Sequence, residues 1–290
     1  MIPEVSQLIE DLDEKGYVVE EELATVLLLT LKLRKPILLE GPPGVGKTEA
    51  AHILSSYLGH NLLRLQCYEG LDVNNAIYEW NYQKQLLSIK INEQSSLSEA
   101  EKEKHIFGED FLLKRPLLQA ITSDQPTILL IDEIDRADEE FEAFLLELLS
   151  DFQISIPEMG TVKAKHRPIV LLTSNRTREL SDALRRRCLY HWVSYPSFEK
   201  ERSILAKHLP GVDESILDNL VTYVQRLRDM KLQKSPGIAE SIDWANAMIT
   251  LGAKSFSPEF VEKTLGCVLK SEADLATVKA EGVDKLIEVG

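Results

Sequence analysis

Five short apolar runs mark the first two thirds of the chain: 36–39 (PILL), 62–66 (LLRLQ), 127–131 (TILLI), 168–173 (PIVLLT) and 188–193 (CLYHWV). Runs this short and this rich in Ile, Leu and Val predict strands buried on both faces, as in a parallel sheet covered by helices. Helical patterns lie between them. Lys47 to Leu58 follows the first run, and Glu139 to Leu149 follows the third with Phe141, Phe144, Leu145 and Leu148 along one stripe. The alternation predicts a doubly wound α/β domain with a five-stranded parallel sheet.

Beyond Tyr195-Pro196 the pattern changes. Segments 198–209, 213–230, 239–251, 258–269 and 272–287 carry helical periodicity only, punctuated by Pro210-Gly211, Pro236-Gly237 and Pro258. Two domains are therefore expected, an α/β unit over 1–196 and a small all-α unit over 197–290. Residues 68–125 exceed what one crossover helix needs, so an insert is expected at about 68–113. Within it Trp80, Tyr82, Leu86, Ile89 and Ile91 could supply a packed element, while the polar stretch 92–104 reads as an exposed excursion. Tyr78, Trp80 and Tyr82 alternate, as core aromatics or as a substrate-contacting loop. Residues 153–167 alternate about Pro157-Glu158-Met159-Gly160, a hairpin signal, with Lys163, Lys165, His166 and Arg167 as a basic cluster.

Composition narrows the function classes. The chain has 290 residues, with 44% hydrophobic and 28% charged, which excludes a disordered chain. Lys+Arg 33 against Asp+Glu 47 gives a net charge of −14, which disfavours a general binder of nucleic acid or anionic membrane. The cysteines Cys67, Cys188 and Cys267 are far apart and odd in number, offering neither a disulfide framework nor a zinc cluster. The N-terminus has no signal-like pattern, and the longest apolar run, Leu23 to Leu31, falls far short of the ~20 residues a bilayer requires. A cytoplasmic protein without membrane insertion is expected.

The chemistry is concentrated at two places. Gly41-Pro42-Pro43-Gly44-Val45-Gly46-Lys47-Thr48, followed by Glu49, fits the phosphate-loop pattern between a strand and a helix. Small residues let backbone N–H groups curl around phosphate oxygens at a helix N-terminus; Lys47 can reach the β/γ phosphates, and Thr48 can ligate Mg²⁺. A chance match in a chain of this length is roughly one in a hundred. At the end of the third apolar run, Asp132 and Glu133 supply two carboxylates: Asp132 to hold Mg²⁺ through water, Glu133 to orient and deprotonate an attacking water. A solvated acidic helix start is the plainer reading of the carboxylates that follow.

These segments resemble the AAA+ ATPases, and within them the MoxR-type group, over nearly the whole chain. GPPGVGKTE at 41–49 resembles Walker A, IDEIDRADEEFEAFLLELLSD at 131–151 Walker B, and LTSNRTRELSDALRRRCL at 172–189 the sensor 1 to arginine-finger segment. CYEGLDVNNAIYEWNYQKQLL at 67–87 is similar to the CoxD-like subgroup, associated with maturation of molybdenum-copper carbon monoxide dehydrogenase. The resemblance implies that Asn175 is sensor 1 and that Arg187 is an arginine finger reaching a neighbouring subunit. Arg185, Arg186 and Arg187 are consecutive, so at most one or two can face a neighbour. Arg186 is the alternative, and a basic helix end is the plainer one; Arg136 could be a further interface arginine. One departure stands out: where MoxR-type proteins commonly carry Ser-Pro-Arg as sensor 2, this chain reads Ser235-Pro236-Gly237.

The resemblance further implies ATP and Mg²⁺ as cofactors and a ring, with a hexamer as its expected size. It also implies a von Willebrand factor A domain partner and a molybdenum-containing metalloenzyme as client. The acidic run 132–151 and the arginines of 176–187 predict opposite-sign faces suited to head-to-tail association. Two rival readings remain: a DNA-acting AAA+ accessory ATPase using the basic hairpin, and a nucleotide-binding regulatory scaffold without useful turnover.

Overall fold

The computed structural model describes residues 4–72, 76–91, 98, 105–156, 160–253 and 255–287. The chain forms two compact units. One is built from Thr25–Glu40 and Ala50–His191, the other from Pro3–Ala24, Gly41–Glu49 and Trp192–Gly290.

The strands, in chain order, are β1 (Ile37–Glu40), β2 (Asn61–Gln66), β3 (Tyr78–Trp80), β4 (Leu112–Lys114), β5 (Thr127–Asp132), β6 (Gln153–Ile156), β7 (Gly160–Lys163), β8 (Ile169–Ser174) and β9 (Leu189–Trp192). Five of them make one sheet in the order β2-β5-β8-β1-β9. Its parallel registers place Gln66 beside Asp132, Ile131 beside Leu172 and Glu40 beside Ser174. Every residue of β1, β5 and β8 is buried, as expected of strands covered on both faces. In β2 and β9 burial is incomplete, and only Leu65 of β2 is buried. The expectation of burial on both faces therefore holds for the centre of the sheet and fails at its edges, where one side lacks a neighbouring strand. Helix Glu139–Asp151 is capped by Asp138, which accepts from Phe141 N at 2.9 Å, and its Phe141, Leu145 and Leu148 join Leu129, Ile131 and Leu172 in the core.

The insert is a two-stranded antiparallel sheet, β3 against β4, with helix Tyr82–Ile91. Trp80 packs edge-on against Tyr78 and Phe107 at 5.8 and 5.4 Å, whereas Tyr82 faces solvent. The alternating aromatics thus divide: Trp80 belongs to the core and Tyr82 does not. Residues 92–97 and 99–104 of the expected excursion lie outside the described residues. The expected hairpin is present as β6 and β7, antiparallel, with Ile154 opposite Val162; its tip, 157–159, lies outside the described residues.

In the second unit, helices Phe198–His208, Glu214–Asp229 and Pro258–Val268 are each capped by the side chain just before them: Ser197, Asp213 and Ser257. Their core centres on Tyr223, Trp244 and Phe256, with ring centroids 5.4–5.7 Å apart, and Trp244 Nε1 donates to Thr264 Oγ1 at 2.8 Å. The segment read as one helix over 272–287 is two, Glu272–Glu281 and Val283–Ile287, because Gly282 turns the chain at φ +98°. Helix Val5–Glu14, which buries Leu8 and Leu12, was not among the expected elements. Among the described residues no helix is long and apolar enough to cross a membrane.

Candidate active site

β1 runs directly into the phosphate-loop sequence, and helix Lys47–Leu58 opens at its end. Gly41 has no room for a side chain, since a Cβ there would lie 2.1 Å from Val193 O. Gly44 adopts φ +75°, a conformation costly to residues with a Cβ. Lys47 is buried, and its Nζ donates to Gly41 O at 2.8 Å and Pro42 O at 2.6 Å. The lysine thus braces the loop from inside, its ammonium bonded to the carbonyls at the start of the motif.

The strand tips hold the carboxylates. Asp132, 3% exposed, ends β5; Thr173 Oγ1 donates to its Oδ1, and Arg64 of β2 pairs with its Oδ2. Glu133 follows at φ 54°, a left-handed conformation that costs a non-glycine residue about 1 kcal/mol or more. Its backbone N–H donates to Thr173 Oγ1 at 2.9 Å, which fixes the turn. Both of its carboxylate oxygens accept from amides, Oε1 from Asn175 Nδ2 at 3.2 Å and Oε2 from Gln66 Nε2 at 3.1 Å.

Asp135, also 3% exposed, supports this arrangement from below. It accepts from Asn175 N at 3.1 Å, Thr177 N at 2.8 Å and Thr177 Oγ1 at 2.7 Å. Burial works to raise its carboxyl, but the hydrogen bonds from Thr177 and Asn175 outweigh that and hold it below the usual carboxylate value.

The residue types are those that a polyphosphate with a divalent cation calls for: a lysine and a hydroxyl in the phosphate loop and, separately, a carboxylate at a strand tip. Among the described residues no group of three or more His, Cys, Asp and Glu side chains could hold a metal by protein ligands alone. Magnesium in phosphate sites takes most of its ligands from phosphate and water, so it needs no such group.

The arginines divide by role. Arg185 pairs with buried Glu40 at 2.6 Å and lies over Tyr190, and Arg178 pairs with buried Glu142. Arg187 is exposed, with Nε on Ser150 Oγ at 2.7 Å and Nη1 on Ala183 O at 3.0 Å. Arg136 and Arg186 are exposed. Two of the five arginines counted toward a basic face therefore serve internal carboxylates.

Residues 36–188 match the family model for the AAA domain, dynein-related subfamily, over just over half of the chain. The chain belongs to this AAA family. It is accordingly a P-loop ATPase of the AAA+ class. An uncharacterized protein of Staphylococcus haemolyticus is 27% identical over 226 residues, covering 76% of this chain and 77% of its own length. The 26S proteasome regulatory subunit S10B homolog B of Arabidopsis thaliana is 28% identical over 200 residues, 64% of this chain and 40% of that protein. Among solved structures, a mutant form of Thermotoga maritima RuvB superposes with a TM-score of 0.52 at 20% identity, covering 88% of this chain and 71% of that one, a likeness of fold.

Within this AAA unit, sequence reasoning overlooked Arg64, Gln66, Asp135, Thr173 and Thr177. Gln66 ends a recognised strand, but only the sheet order reveals that it lies beside Asp132. Thr173 follows four apolar residues of β8 and is fully buried, the one polar side chain besides Ser174 in that strand.

Proposed function

We propose that the chain is a ring-forming AAA+ ATPase of the MoxR type, in its CoxD-like subgroup, that uses ATP to remodel or mature a client protein. Its nucleotide-binding domain spans 1–196, with the insert at about 68–113 and the hairpin at 153–167, and its helical lid spans 197–290. Gly41, Pro42, Pro43, Gly44, Val45, Gly46, Lys47, Thr48 and Glu49 hold the nucleotide. Thr48 and Asp132 hold Mg²⁺, which neutralises developing phosphate charge when bound. Glu133 orients and deprotonates water, Asn175 positions Glu133, and Arg187 from a neighbouring subunit stabilises transition-state charge.

The observation that carries this reading is the hydrogen bond from Asn175 to Glu133 at the tips of two adjacent parallel strands, an orientation suited to aiming a base. Members of the AAA+ class typically assemble as rings, and the ring, with six subunits as its expected size, follows from that. A von Willebrand factor A domain protein as partner follows from the likeness to the MoxR-type group, and a molybdenum-containing metalloenzyme as client from the likeness of 67–87 to the CoxD-like group; the scattered cysteines, which suit a reducing compartment, favour a cytoplasmic location. A DNA-acting role gains little from the hairpin region, where Lys165 pairs with Asp124 and Arg167 lies over Phe152. The scaffold reading draws on a specific feature: Arg64 occupies Asp132, and amides occupy both oxygens of Glu133.

Steady-state ATP hydrolysis per chain, measured across a wide concentration range, tests the reading. A specific rate that climbs with concentration is the expected result and reflects sites shared between subunits. Absence of any hydrolysis, with or without a partner, supports the scaffold instead.

A further inference from the structure

Where the sensor 2 arginine was expected, the backbone itself touches the phosphate loop. Helix Ile238–Thr250 begins at Gly237, and Ile238 N donates to Gly44 O at 2.8 Å. The approach is closer than side chains permit. A Cβ on Gly237 would lie 2.7 Å from both Gly44 Cα and Gly44 O, and a Cβ on Gly44 would lie 3.1 Å from Gly237 Cα. Gly237 is therefore required at this contact, Gly44 is favoured by the tight approach together with its φ of +75°, and an arginine at 237 does not fit.

The surroundings hold the contact in place. Gly237 N donates to Glu240 Oε2 at 2.9 Å, which spends the cap residue's own N–H inside the helix. Ile238, the first helical residue, has an N–H with no acceptor within the helix, and the loop carbonyl supplies one. Upstream, Arg228 donates to Pro236 O at 2.8 Å and makes a two-pronged pair with Glu201, both side chains nearly fully buried. Ser241 Oγ ties the first helical turn to the same carboxylate at 2.7 Å.

The peptide between Gly44 and Val45 is trans, so its C=O and N–H point in opposite directions. A carbonyl held by Ile238 therefore turns the Val45 N–H away from the helix. We propose that the start of helix Ile238–Thr250 is a working part of the phosphate loop: Ile238 is a positioning residue whose N–H orients the Val45 amide as a phosphate donor, and Gly237 is glycine because this clamp demands it. The inference rests on the nucleotide-site reading above. It makes lid position and loop geometry one variable, carried by a backbone bond instead of an arginine side chain.

The test uses the full chain and a pair of variants at 238. Proline suits the first position of a helix, and Gly237 already has the extended backbone (φ −88°, ψ −174°) that a following proline requires, so Ile238→Pro removes the donor while keeping the helix. Ile238→Ala keeps the donor and loses a comparable side chain. Calorimetric titration with ADP should show Ile238→Pro binding about tenfold more weakly than Ile238→Ala, the size of one lost hydrogen bond. Gly237→Ala should weaken binding as well, and Gly237→Arg should not improve it. In the nucleotide-free protein the Ile238 amide should exchange slowly, although the first amide of a helix is ordinarily unprotected. Equal ADP affinity in the two Ile238 variants overturns the clamp, as does rapid exchange at Ile238. If the unaltered protein binds no ADP, the nucleotide-site reading falls instead, and amide exchange still decides the clamp.

Discussion

Asn175 and Glu133, 42 residues apart in the chain, meet through a 3.2 Å hydrogen bond from the Asn175 amide to Glu133 Oε1. The bond exists because β5 and β8 are parallel neighbours whose chains both turn at the same end of the sheet. Glu133→Gln keeps the shape but replaces an acceptor oxygen with a donor and removes the base. It should bind ATP while its turnover falls by about 100-fold or more, within the usual range for general-base removal. Nucleotide binding by titration together with single-turnover hydrolysis checks this; normal turnover in the variant would remove Glu133 from its assigned role.

Asp135 offers a separate test of how Asn175 is held. Asp135→Asn retains the size but weakens acceptance from two backbone amides and a hydroxyl, at an expected cost of about 1–3 kcal/mol. Because the native carboxyl is held below its ordinary value of 3.8, its contribution is present above that value and is lost as pH falls through the native one. Thermal melts from pH 7 down to pH 3 should therefore show a steeper acid decline in the native protein than in Asp135→Asn. Parallel curves would mean that Asp135 does not titrate as described.

The strands were legible because their apolar composition suffices in a parallel sheet: β1, β5 and β8 were expected within a residue of where they lie. The phosphate loop and the Asp132-Glu133 pair were legible because each is local in sequence. What eluded sequence reasoning is what only topology supplies. Gln66 reaches Glu133 because β2 lies next to β5, and no pattern within 61–66 announces that order. Gly237 read as a missing arginine, since a close backbone approach leaves no trace in composition. Helix Val5–Glu14 did carry a signal, with Val5, Leu8, Ile9 and Leu12 at helical spacing.

Cysteine chemistry provides a prediction independent of the nucleotide. Burial pushes both Cys67 and Cys188 up to about 12, opposed at Cys188 by Arg187 and reinforced at Cys67 by the carboxylates of Asp132, Asp135 and Glu133. Almost no thiolate exists at pH 8, so both should resist a thiol reagent in the native protein and react once it is unfolded. Retaining the neutral thiol favours the folded state below the ordinary value of 9.0, and that advantage disappears as pH rises toward 12. Peptide mapping after timed labelling checks the two sites individually; fast native labelling of Cys67 would contradict its burial.

In the helical unit the Arg228–Glu201 pair is the sensitive point. Glu201 is fully buried and accepts from Arg228, Gln225 and Ser241. Arg228→Ala leaves that carboxylate without its cation and should cost about 3–5 kcal/mol, whereas Arg228→Met paired with Glu201→Leu should cost much less. Denaturant titrations of the three proteins separate the penalty of an orphaned charge from the value of the ion pair. Equal losses in both would place the effect in packing.

The three consecutive arginines should separate by what each loses. Arg185→Ala strands Glu40, which is 1% exposed, and should lower the melting temperature even without nucleotide. Arg187 is exposed and bonded only to Ser150 Oγ and Ala183 O among the contacts described, so Arg187→Ala should leave stability within about 1 kcal/mol. Its hydrolysis should nevertheless fall by about 1,000-fold if it completes a neighbour's site, the scale known for an arginine acting on transferred phosphate. Mixing decides the matter. Glu133→Gln and Arg187→Ala are each inactive alone, yet a mixed ring contains interfaces where an intact Glu133 meets an intact Arg187. Partial recovery of hydrolysis on mixing is the expected outcome. If none appears while Arg186→Ala behaves as described for Arg187→Ala, the trans-acting role passes to Arg186.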